Sequence, residues 1–83
     1  MKVVITKGAK KDLSKLDTFT QRRILGELIE LETSLIGKDI KKLKGIEDTW
    51  RLRVGDYRVI MAIEEGKAVI LALKVGHRRE IYR

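Results

Sequence analysis

Nine consecutive residues, Trp50-Arg51-Leu52-Arg53-Val54-Gly55-Asp56-Tyr57-Arg58, leave this chain little freedom in how it folds. Apolar and charged side chains alternate on both sides of Gly55-Asp56, the period-2 pattern of strands with one buried face. Glycine reaches positive φ at no steric cost, so Gly55-Asp56 suits a two-residue hairpin turn. Such a turn fixes the register, setting Val54 against Tyr57 and Arg53 against Arg58. Side chains alternate along a strand, so Arg51, Arg53 and Arg58 share one face. Trp50, Leu52, Val54, Tyr57 and Val59 share the other. Like charges directly opposite one another destabilise a sheet. Three arginines on one face therefore point to an anion that the sequence does not supply.

The rest of the chain builds outward from this hairpin. Residues 2–6 (KVVIT) are a short β-prone run. A helical pattern follows, with Ala9, Leu13 and Leu16 on one face and Lys10, Lys11 and Lys15 among the polar positions. Asp17-Thr18 reads as a break, and Thr18 with Gln21 matches a capping box for a second helix. That helix is predicted to run to about Leu35, with Ile24, Leu28, Leu31 and Leu35 as its apolar stripe and Leu25 and Ile29 beside it. Gly37 marks its stop, and Gly26 inside it suggests a close approach between helices. Residues 38–45 (KDIKKLKG) read as a basic connector. Strands are expected near 49–54, 57–64 and 67–75, with Glu65-Gly66 as a second tight turn. The order is β-α-α-β-β-β, with a possible further strand in the tail. The fold class is α+β: two N-terminal helices packed on one face of a mostly antiparallel twisted sheet, as one domain over residues 1–83.

Composition narrows the function. The 83 residues are 43% hydrophobic, enough for one thin core. There is no cysteine and one histidine, so disulfides, a thiolate nucleophile and a zinc site are not expected. No segment approaches the roughly 20 apolar residues that span a membrane. The N-terminus also lacks a signal-peptide run, so a cytoplasmic location is expected. Net charge is +7, and it is uneven: residues 1–40 hold eight basic and six acidic side chains, residues 41–83 eleven and six. A basic half suits a polyanionic partner, most often nucleic acid; a lysine-rich solvated surface is the plainer alternative.

Three groups of residues could carry chemistry. Arginine offers a rigid fork matched to phosphate oxygens, so Arg51, Arg53 and Arg58 could grip a nucleic-acid backbone or steady charge on a phosphorane-like transition state. They could equally be a solvated outer face. The tail brings His77, Arg78, Arg79 and Tyr82, followed by Arg83. Nearby cations favour a phenolate, so Tyr82 could deprotonate a ribose 2′-hydroxyl, and His77 is the other candidate base. Packing and surface roles remain open for both. Lys38, Lys41, Lys42 and Lys44 could follow a phosphate backbone without reading sequence, or form a solvated loop. Trp50 reads as core rather than as a platform for bases. No P-loop, paired-carboxylate or Ser-His-Asp pattern is present, and acidic residues do not cluster on the arginine strands.

Three blocks, Lys42-Leu43-Lys44-Gly45, Trp50 to Ile60, and Val75-Gly76-His77-Arg78-Arg79-Glu80-Ile81-Tyr82, together resemble the RelE/ParE superfamily of toxins from toxin–antitoxin pairs. The resemblance covers essentially the whole chain and implies the same small β-α-α-β-β-β(β) domain. For the RelE-like branch it implies a ribosome-dependent endoribonuclease that cuts mRNA in the decoding site. The 2′-hydroxyl attacks the adjacent phosphate without a metal or other cofactor. Carried over residue by residue, the site falls on Arg51, Arg53, Arg58, Arg78 and Tyr82. Arg58 would steady the phosphate and Arg78 the leaving oxygen, while Tyr82 would orient or deprotonate the nucleophile. Lys41, Lys42, Lys44, Arg79 and Arg83 would bind RNA or ribosome. Some relatives carry lysines where this chain has Arg51 and Arg53. Arginine does not deprotonate, which leaves Tyr82 or His77 as base. The implied partners are a RelB-like antitoxin, the ribosome and mRNA, with oligomers forming only through the antitoxin. The ParE-type alternative is a DNA gyrase poison that acts by binding; a third reading is a non-catalytic basic docking module.

Overall fold

The hairpin forms as its alternation requires. In the computed structural model, which describes residues 1–45 and 48–79, Gly55 has φ +60°. β3 (Thr49–Val54) pairs antiparallel with β4 (Tyr57–Glu64), with Val54 opposite Tyr57 and Arg53 opposite Arg58. The other elements are β1 (Lys2–Ile5), α1 (Lys7–Ser14), α2 (Thr18–Glu30), β2 (Ile40–Lys42) and β5 (Val69–His77). The strands form one sheet in the order β1-β5-β4-β3-β2. β1 runs parallel to β5, and the remaining pairs are antiparallel.

Both helices lie on one side of this sheet. Ala9 and Leu13 of α1 and Ile24, Leu28 and Leu31 at α2 are buried against Leu52, Val54, Val59, Met61, Ile63, Ile70, Ala72 and Val75. The face opposite the helices carries no layer among the described residues, and Arg51, Arg53 and Arg58 lie there by register.

Side chains set the joints. Thr6 ends β1 and caps α1: its Oγ1 accepts from the Ala9 amide at 3.3 Å and donates to the Ala72 carbonyl at 2.8 Å. Asp12 of α1 accepts from the Val75 amide at 2.9 Å. β1 pairs with β5 only as far as Ile5–Ala72, so that amide would otherwise lack a partner strand.

Several expectations need correction. The N-cap of α2 is Asp17, not Thr18. Its carboxylate accepts from the Thr20 amide and hydroxyl, and Gln21 donates instead to the Leu16 carbonyl. These bonds hold the Asp17 carboxyl below its usual range. α2 ends at Glu30, well short of Leu35. The Ser34 hydroxyl takes the Ile36 amide, an alternative to the helical bond, and Leu35 is exposed. Gly37 therefore lies beyond the helix rather than at its cap. Gly26 faces open space and makes no close helix contact. The connector holds a three-residue edge strand, β2, the strand that completes the sheet. Glu65-Gly66 is not a two-residue turn: a 3-10 turn over Glu65–Lys67 and Ala68 at φ +53° delay β5 to Val69. The expected tail strand falls among residues 80–83, outside the described residues.

Candidate nucleic-acid interface

Register places two basic rows across the open face. One runs Lys41, Arg51, Ile60, Lys74 over β2, β3, β4 and β5; the next runs Arg53, Arg58, Gly76. The glycine leaves the end of the second row clear of side-chain bulk beside Arg58. At the tip of the hairpin the Arg78 amide donates to the Asp56 carbonyl at 2.8 Å, which ties the start of the tail to the Gly55-Asp56 turn. The backbone of Arg78 is thus held at the end of the row that contains Arg53 and Arg58.

Part of the positive charge is answered within the chain. Arg51 Nη2 lies 3.3 Å from Asp39 Oδ1, and the Arg51 side chain is only 12% exposed. Arg53 Nε donates to the Gly55 carbonyl at 3.3 Å. The absent anion inferred from three like charges is therefore needed less at Arg51 than the sequence implies. Asp39 lies immediately before β2, and only the β2–β3 pairing brings it to Arg51.

The connector lysines separate. Lys41 is paired with Arg51 on the open face, whereas Lys42 is paired with Trp50 on the helix side, its Nζ 5.8 Å from the ring centroid. Trp50 is half-buried against the core, as expected. Lys44 is exposed beyond β2. Lys38 is taken up by Glu27, at 2.7 Å, and by Glu30, bonds that raise its pKa.

His77 does not join the arginines. A β-bulge shifts the β4–β5 register, so that Met61 faces Ala72 while Ile60 faces Lys74, leaving Leu73 as the extra residue. One added residue reverses the faces of everything after it. It sends Val75 into the core, Lys74 to the open face, and His77 to the helix side opposite Tyr57. The two rings meet edge-on, with centroids 5.5 Å apart and planes at 83°. His77 Nδ1 accepts from the Arg79 amide at 3.3 Å. Together with Tyr57, Asp12 and Lys15 it lines a cleft of about 430 Å³ beside the end of α1, which Lys74 also borders along the unpaired stretch of β5. Lys74 is the basic residue that sequence reasoning missed; only the bulge reveals it. Tyr82 and Arg83 lie outside the described residues, and Arg79 is exposed.

With this geometry in place, comparison with known proteins is direct. Residues 3–82 match the sequence profile of the ParE toxin of type II toxin–antitoxin systems, parDE. The chain belongs to the ParE toxin family. Toxin RelE3 of Methanocaldococcus jannaschii is 36% identical, the match covering 99% of this chain and 96% of the relative. The solved RelE–RelB complex of Pyrococcus horikoshii has a toxin-like fold at a TM-score of 0.80, with 34% identity over 95% of this chain and 96% of that one. The RelB–RelE antitoxin–toxin complex of Methanococcus jannaschii gives a TM-score of 0.77 at 29% identity, covering 95% and 94%. The ParE-family resemblance carried by the three sequence blocks is thereby confirmed, and the two-helix, five-strand architecture is that of the RelE toxins. In both neighbours the toxin is seen with an antitoxin. Among the described residues, no helix of this ParE-family chain is long and apolar enough to cross a membrane.

Proposed function

We propose that this chain is the toxin of a toxin–antitoxin pair that cleaves mRNA on the ribosome. The observation that carries the reading is the juxtaposition of Arg53, Arg58 and Gly76 in one row with Arg78 tied to the turn at its end. A phosphodiester laid along that row would meet guanidinium donors from three directions, in a fork geometry suited to its oxygens. The 2′-oxygen attacks phosphorus and the bond to the 5′-oxygen breaks. The products are a 2′,3′-cyclic phosphate and a 5′-hydroxyl. Arg58 would neutralise the non-bridging oxygens and Arg78 the departing 5′-oxygen. Tyr82, as a phenolate favoured by the surrounding cations, would take the 2′-proton, and water would protonate the departing 5′-oxygen to the hydroxyl. Arg51 and Arg53 supply electrostatic stabilisation but no base. Lys41 and Lys74 extend the anion track on the sheet, and Lys42, Lys44, Arg79 and Arg83 extend it around the edges. One domain this small offers little surface to orient RNA, so the ribosome would do the positioning. A RelB-like antitoxin would cover the basic face.

The matched family is named for ParE, which favours a second reading: a gyrase poison acting by binding alone. The test separates the two. The chain is induced in a bacterial host and mRNA 5′ ends are mapped for wild type and Tyr82→Phe. New ends inside translated codons, lost in the variant, support the nuclease. Toxicity with DNA breaks and intact mRNA supports the poison.

A further inference from the structure

Arg23 belongs to α2, on the other side of the sheet from the arginine rows, yet it ends at the same turn. A methyl group built on Gly55 would stand 2.9 Å from Arg23 Nη1 and 3.3 Å from its Cζ. The guanidinium therefore lies against bare backbone that any other residue would cover. Arg53 reaches the same residue by donating Nε–H to the Gly55 carbonyl, and the Arg78 amide holds the Asp56 carbonyl. Side chains of Arg23 from α2 and Arg53 from β3 thus meet at a two-residue turn to which the backbone of Arg78, just after β5, is also tied. Arg23 is exposed, and among the described residues no carboxylate pairs with it. Asp56 is the acidic residue of the turn itself, and it too makes no ion pair among those residues. The Arg23 guanidinium thus stands at the residue that the Arg53 guanidinium also reaches, and among the described residues no carboxylate balances either.

We propose that Arg23 binds the phosphodiester neighbouring the one in the Arg53–Arg58 row. It would lead an RNA strand around the Gly55-Asp56 turn to the helix side. β3 and β4 end at this turn, so a strand leaving the Arg53–Arg58 row can pass over the hairpin tip without crossing the body of the sheet. Gly55 serves both needs: its positive φ makes the turn, and its missing side chain makes room for the guanidinium. The inference rests on the RNA-binding reading of the sheet face. It goes beyond it by assigning a contact outside that face.

The test uses the full chain and a fluorescein-labelled 12-nucleotide 2′-O-methyl RNA, which binds but cannot react because its 2′-oxygens are blocked. Anisotropy is followed from low to moderate NaCl for wild type, Arg23→Ala, Arg23→Lys, Arg22→Ala and Arg58→Ala. The expected result for Arg23→Ala is binding weakened roughly fivefold at low salt, with a log–log salt slope shallower by about 0.7, the loss of one single-strand phosphate contact. Arg23→Lys keeps the slope, and Arg22→Ala keeps both affinity and slope. Wild-type binding by Arg23→Ala while Arg58→Ala loses affinity overturns the assignment of Arg23 and leaves the sheet face standing. If in that case Arg23→Ala weakens binding of the cognate antitoxin, the turn belongs to a protein partner. If neither Arg23→Ala nor Arg58→Ala changes the slope, the sheet-face reading falls and this one with it.

Discussion

Replacing Arg53 by glutamine should make the protein more stable and a poorer RNA binder at once. The Arg53 amide donates to the Asp39 carbonyl, away from β4. Arg53 and Arg58 are therefore a pair without mutual hydrogen bonds, the closer of the two cross-strand arrangements, with Cα atoms about 4.5 Å apart. Two guanidinium charges roughly 6–7 Å apart at a half-exposed surface, with an effective dielectric near 50, repel by about 1 kcal/mol. Arg58 has a further interaction of its own, so that figure is an upper bound. It agrees with the ~0.2–1 kcal/mol range measured for cross-strand pairs. Glutamine can still donate to the Gly55 carbonyl, which preserves the other contact Arg53 makes. A gain of about 0.5–1 kcal/mol corresponds to about 2–8 °C in Tm for a domain of this size. The assay is thermal unfolding by circular dichroism at low salt and again near 0.5 M NaCl, where screening should remove most of the gain. A Tm equal to or below wild type at low salt, or a gain that survives high salt, would refute the electrostatic argument.

Four other outcomes are expected. Asp39→Asn releases Arg51 from its carboxylate and should tighten RNA binding about two- to fivefold at low salt, the scale of a surface ion pair; unchanged anisotropy curves would count against a phosphate role for Arg51. His77→Asn keeps an acceptor for the Arg79 amide and should retain cleavage, whereas His77→Phe keeps only the ring contact with Tyr57 and should lose it. A loss beyond about 10²-fold in the asparagine variant would instead mark His77 as a proton-transfer group. Asp17→Ala should lower Tm at neutral pH by removing the α2 cap. Because the folded Asp17 pKa is depressed, its contribution is full above the ordinary value of 3.8 and fades as pH falls through the lower folded value, so wild type and variant should converge in acid. Ala68→Gly relieves an alanine at φ +53° and should stabilise by up to about 1 kcal/mol in urea unfolding; a destabilised variant would show that chain entropy outweighs the strain.

Where local chemistry decides, the residues were readable. Alternation and a Gly-Asp turn gave the β3–β4 register to the residue, and with it the shared face of Arg51, Arg53 and Arg58. The α2 stripe of Ile24, Leu28 and Leu31 followed from helical period alone. Long-range pairing hid the rest. Nothing within KDIKKLKG marks a strand until β3 is there to receive it, and lysines are what an edge strand uses to avoid a second partner. Glu65-Gly66 reads as a tight turn, but the chain spends a 3-10 turn and an alanine at positive φ on the reversal, which no local residue type signals. The bulge at Leu73 has no local signal, yet it alone decides that Lys74 joins the open face and His77 leaves it.

Sheet order also has a kinetic consequence. Among the described residues β5 is the last strand in chain order, yet it lies second in the sheet, between β1 and β4. β1 pairs with nothing else, and its ladder joins residues as far apart as Lys2 and Val69. Closing such a long loop is slow, and it cannot begin until residues 69–72, in the last fifth of the chain, are free. Until then α1 lacks the Val75 amide that Asp12 holds, and the turn at Gly55-Asp56 lacks Arg78. An unfinished chain still on its ribosome therefore carries the two strand rows of arginines but not the assembled tip. Ordering of the hairpin tip is thus tied to the pairing of β5, the longest-range step in the fold.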